Sequence, residues 1–151
     1  MDYVPQGGNM QEQFVTYDIA LKLKTLGFNK NCFAYHYKPD NNAEVDIYDP
    51  PTVAKNWNGE ATCISLPLWQ QVEEWLRERH NIQLSIFPDY DGDGVETVWD
   101  CNIVNLCWGT YKEHHIEDYI RNSDKDRSKC LETAILRALE LLTTYRKLKN
   151  L

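Results

Sequence analysis

The run Asp89-Tyr90-Asp91-Gly92-Asp93-Gly94, with Asp100 downstream, holds the residue types of a calcium loop. Oxygen ligands at loop positions 1, 3 and 5, a glycine at 6 and a carboxylate at 12 allow a chain to wrap one hard cation. The fit departs from that pattern in three places. Position 8 is Glu96 where an apolar residue is expected, position 12 is Asp rather than the longer bidentate Glu, and the flanks read as strands. The chemistry on offer is weak binding of calcium or another divalent ion by Asp89, Asp91, Asp93 and Asp100, which would also allow metal-assisted attack on a phosphoester. The plainer reading is a solvated hairpin turn, for which Asp-Gly is the favoured pair.

A second polar cluster, Glu113-His114-His115-Ile116-Glu117-Asp118, would put His114 and Glu117 or Asp118 on one face only if it were helical. Adjacent histidines point in different directions on any regular element, which weakens a metal site there. His36 and any of the five cysteines (Cys32, Cys63, Cys101, Cys107, Cys130) would make a nucleophile pair if they met in space, but no spacing brings them together. The cysteine number is odd and no pair is separated by two residues, so they read as reduced thiols packed as small hydrophobes. There is no glycine-rich phosphate loop and no Gly-x-Ser-x-Gly elbow. The sequence assigns no catalytic residue and requires no cofactor beyond the weak calcium option.

The aromatic residues are the other chemical resource. Five tryptophans and nine tyrosines are many for 151 residues. Trp57, Trp69, Trp99 and Trp108 are candidates for a surface that binds a protein or a flat ligand. Filling the core of a small sheet is the competing use. Trp69 and Trp75 lie six steps of about 100° apart on a helix, so one narrow face does not hold both.

These groups must be positioned by regular elements. Residues 1–13 read as a flexible arm and 14–151 as a single α+β domain. Thr16 as N-cap, Asp18 in the first turn and Gly27 as a stop bound a helix over 17–26, with Phe28 folding back on its last turn. Residues 32–37 and 44–48 read as strands, and 52–63 as a long connection with room for one short strand. Ser65 reads as the cap of a second helix ending at His80-Asn81, with Leu68, Val72, Trp75 and Leu76 buried and Glu73, Glu74, Arg77, Glu78 and Arg79 facing water. Strands at 82–87 and 96–106 flank the acidic turn. Residues 127–148 form the clearest helix, buried along Leu131, Ile135, Ala138, Leu142 and Tyr145. The order α-ββ-α-ββ-α predicts one antiparallel sheet of about four strands with three helices mainly on one face.

Lys plus Arg number 16 and Asp plus Glu 23, a net charge of −7 that repels phosphate backbones and disfavours nonspecific nucleic-acid binding. No run of apolar residues is long enough to span a membrane. The first residues lack the basic and apolar regions of a signal peptide, which predicts a cytoplasmic protein.

Tyr3-Val4-Pro5-Gln6 with the Phe14 to Phe28 segment resembles the start of small uncharacterised proteins of Bacteroides genomes, their phages and integrated mobile elements. Cys32 to Tyr37, Leu66 to His80 and Cys130 to Leu142 are similar to that family's first strand, middle helix and closing helix. The acidic 89–100 hairpin and the arm at 5–13 depart from it. The resemblance implies a phage or mobile-element accessory protein in a bacterial cytoplasm and brings no activity with it. With no catalytic constellation, the expectation is a non-enzymatic module that binds a protein partner or a second copy of itself. The alternative is a protein that sequesters a nucleotide-like ligand.

Overall fold

The computed structural model describes residues 10–37, 46–47, 54–90, 94, 96–105, 117–120 and 125–149. They divide into two compact units, Met1–Gln71 and Val72–Leu151. The fold is α+β: helices α1 (Tyr17–Thr25), α2 (Trp69–His80) and α3 (Arg127–Lys149), with strands β1 (Ala34–Tyr37), β2 (Asp46–Ile47), β3 (Cys63–Leu66), β4 (Ile82–Tyr90), β5 (Thr97–Asn105) and β6 (Glu117–Ile120). Among the described residues no helix is long and apolar enough to cross a membrane.

The strands form two antiparallel sheets, in the orders β2-β1-β3 and β4-β5-β6, and not the single sheet expected. The reason lies in two short strands hidden in the connections. β3 takes the second edge of β1, and β6 takes the second edge of β5, so each hairpin completes its own sheet. Ser65 does not cap α2. It lies inside β3, opposite Tyr35, and is completely buried. Helix α2 begins only at Trp69, after Pro67.

In the first unit the chain leaves a 3-10 turn (Met10–Gln13) and enters α1, whose buried side chains Ile19, Ala20 and Leu23 recur at helical spacing. Thr16 holds the extended N-cap backbone but makes no side-chain cap bond. The far end closes as the sequence predicts. Gly27 turns at φ +82°, Phe28 N–H donates to Leu23 O at 2.9 Å, and Gly27 N–H donates to Lys24 O at 3.1 Å. This is a Schellman closure, with Phe28 buried over it. A Cβ at position 27 would meet nothing within 4 Å, so Gly27→Ala carries only the backbone penalty of a positive φ. We expect it to cost about 1 kcal/mol, read as a lower urea midpoint at unchanged slope.

In the second unit β4 and β5 pair over their whole length, from Ile82↔Asn105 to Tyr90↔Thr97. Ile82 and Leu84 share a face with Cys101 and Ile103 and are buried there. Helix α3 packs on these two strands and buries Leu131, Ile135, Ala138 and Leu142 as its spacing predicts, whereas Tyr145, one turn further on, is only half-buried. Cys130 Sγ lies 3.3 Å from Trp99 O, which ties the first turn of α3 to β5.

Candidate functional site

The aromatic residues of the first unit are built into one assembly. Along β1 the side chains alternate: Ala34 and His36 are buried, Tyr35 is half-buried, and Tyr37 is 49% exposed. Tyr35 and Tyr37 thus share the outer face of the strand. Lys55 and Cys32 exchange two backbone hydrogen bonds (2.9 and 3.2 Å), laying the 55–60 segment beside the start of β1. A 3-10 turn at Trp57–Gly59 follows, and there Trp57 stacks on Tyr35 with centroids 4.2 Å apart and planes 24° from parallel. Trp57 Nε1–H donates to Cys32 O at 3.1 Å, so the indole is fixed by its edge as well as its face.

Charge surrounds this pair. The Lys55 ammonium lies 4.9 Å from the Trp57 ring centroid and is ion-paired with Glu60. Lys55 in turn holds the Glu60 carboxyl below its ordinary range. Lys24 Nζ donates to Glu60 O and Cys63 O, at 3.0 and 2.6 Å, bracing the turn that leads into β3. Beneath the assembly Asn58 makes the long-range bonds. Its Oδ1 accepts from Ser65 N–H at 2.9 Å and its Nδ2 donates to Phe28 O at 3.0 Å. No family model, curated protein or solved structure matches the chain. Its own residues therefore carry the functional reading.

The other candidate tryptophans do not join this group. Trp69 is half-buried and its Nε1–H donates to Glu12 O at 3.0 Å, which fastens the end of the N-terminal arm. Trp99 belongs to the second unit, half-buried with the Arg127 guanidinium 5.9 Å from its ring. Trp75 is core, 1% exposed. Trp108 lies outside the described residues.

Of the calcium candidates, Asp91 and Asp93 lie outside the described residues. Asp89 is in β4, where its Oδ1 accepts from Tyr90 N–H at 2.8 Å. Asp100 is fully buried in β5, opposite Phe87. Loop positions 1 and 12 are thus held in the two strands of a ladder and not in the turn. Among the described residues no three His, Cys, Asp or Glu side chains are grouped to hold a metal. Of the polar cluster at 113–118, residues 117 and 118 start β6, so that part is extended rather than helical.

His36 is buried against Tyr17, ring centroids 5.1 Å apart and edge-on at 84°. Burial pushes the Cys32 thiol up to about 12, against a side-chain bond with Ser65. Burial, and then the nearby Cys130, push Cys101 to about 12 as well. Both are protonated at neutral pH, the opposite of an activated nucleophile.

Sequence reasoning missed Glu73, read as facing water. It is half-buried on α2, and burial raises its carboxyl above the ordinary range against the pull of Arg127 and Arg77. The i,i+4 spacing of Glu73 and Arg77 was the available signal. Arg127, distant in sequence, gave none.

Proposed function

We propose that this chain is a non-enzymatic interaction module that holds a protein partner on the outer face of β1. One observation carries this reading: Tyr35 and Trp57 form a pre-stacked, half-exposed pair with Lys55 over the indole and exposed Tyr37 on the same face. Tyrosine and tryptophan are the rings that contribute most to interfaces. Because Trp57 is already held by its stack and its Nε1–H bond, little rotamer freedom is lost when a partner docks. The residues similar to phage and mobile-element proteins support a role as an accessory protein in a bacterial cytoplasm.

A second reading, capture of a nucleotide-like ligand, is favoured by Lys55 beside the rings. Glu60 weighs against it, since it occupies the same ammonium and repels a phosphate.

Native mass spectrometry of the gently purified full chain separates the two. A retained protein or second copy supports the module, and a retained small molecule supports capture. With a partner in hand, Tyr37→Ala weakens binding by about 2 kcal/mol, roughly thirtyfold, at unchanged thermal midpoint. An affinity untouched by Tyr37→Ala would remove this face from the interface.

A further inference from the structure

His80 is the last residue of α2, and Asn81 at φ 54° turns the chain directly into β4. The imidazole stands edge-on to Trp75, centroids 4.5 Å apart and planes at 72°, and Trp75 is almost wholly buried. Its Nε2 is sealed from solvent and has no hydrogen-bond partner among the described residues. A proton on Nε2 meets no acceptor among the described residues, so the site favours the neutral ring with its proton on Nδ1. Among the described residues the charged groups bearing on the ring are Arg146 from α3 and Arg79 from its own helix. Both are cations.

We infer that His80 is a proton switch, and that uptake of a second proton loosens the end of α2 and the last turns of α3. Two forces oppose each other here. The C-terminal dipole of α2 favours an imidazolium. Burial, then Arg146 and then Arg79 disfavour it, and together they hold the ring below its ordinary value of 6.5. An opened or unfolded form, with a value near 6.5, takes up the proton first as pH falls. The stabilising contribution of the neutral ring is therefore full above about pH 6.5 and is lost as pH falls from there through the folded value. This window lies where cells and compartments differ in pH.

Hydrogen exchange of the full chain at about pH 7.5 and about pH 5.5, corrected for intrinsic rates, tests the switch. We expect peptides covering 72–81 and 139–148 to open more often at the lower pH, by at most about tenfold, the ceiling set by one pH unit below an opened-state value near 6.5. His80→Phe, which fills the site without a titrating group, abolishes that change. His80→Gln, also neutral, does the same and carries the comparison should the phenylalanine variant misfold. Equal protection at both pH values, or acceleration that persists in either folded variant, overturns the inference. So does an NMR titration placing the native ring at or above 6.5.

Discussion

Trp75→Ala lowers the stability of the second unit by about 3–5 kcal/mol. Trp75 is the largest fully buried side chain among the described residues, flanked in α2 by buried Val72 and Leu76, and it supports the His80 ring. Truncation to alanine removes the indole contacts and leaves a cavity that helices and ladder strands relax into only partly. Typical domains are stable by only about 5–15 kcal/mol, so this one change removes a large share. Urea denaturation followed by circular dichroism reads the loss. Tyr90→Ala, at a strongly exposed ring, is the control and stays within about 0.5 kcal/mol. A Trp75→Ala midpoint as close to the parent as that of Tyr90→Ala would show that the indole packs loosely.

The second large effect is at Asn58. Its side chain serves one donor and one acceptor on buried residues: the N–H of fully buried Ser65 and the C=O of buried Phe28. Asn58→Ala removes both bonds, at about 1–3 kcal/mol for each, so about 2–6 kcal/mol in all. Asn56→Ala provides the contrast. Its Oδ1 accepts only from Asn58 N–H, at 3.2 Å, and Ser65 Oγ accepts from the same N–H at 3.1 Å. That substitution costs under about 1 kcal/mol. Equal losses for the two variants would mean that the turn, and not the amide of Asn58, ties β3 to the end of α1.

The contrast between these asparagines shows what the sequence can and cannot express. Asn58-Gly59 reads as a turn, and it is one, but nothing local says that its amide reaches Phe28 and Ser65. The three helices were legible because their cores repeat every three or four residues and because Gly27 marks a stop. β3 was not legible. Cys63, Ile64, Ser65 and Leu66 are all buried, so the strand lacks the alternation that betrays a half-exposed one, and Ser65 before Pro67 imitates a helix cap. Losing β3 merged two sheets into one. The two strands of the acidic hairpin were placed correctly, with Asp100 in the second, but the ladder runs on to Tyr90↔Thr97, which draws Asp89 out of the turn and into β4. Trp57 was a visible candidate with Lys55 two residues before it, while Tyr35 became its neighbour only through the bridge between Cys32 and Lys55, which lays the 55–60 segment beside the approach to β1.

The two sheets also differ in what their closure demands of the unfolded chain. The β4–β5 ladder needs only the short span from Tyr90 to Thr97 to bend back on itself. The β1–β3 ladder must bring together Tyr37 and Cys63 across a span roughly four times as long. Loop-closure entropy grows by about 0.6 kcal/mol per doubling, so the first closure is easier by about 1 kcal/mol before any side chain is buried. The nine-pair hairpin is accordingly the cheaper nucleus, and contact order makes the β1–β3 pairing the slower event. The aromatic assembly on β1 is then among the last features to exist as the chain folds, because Trp57 finds Tyr35 only once that longer loop has closed.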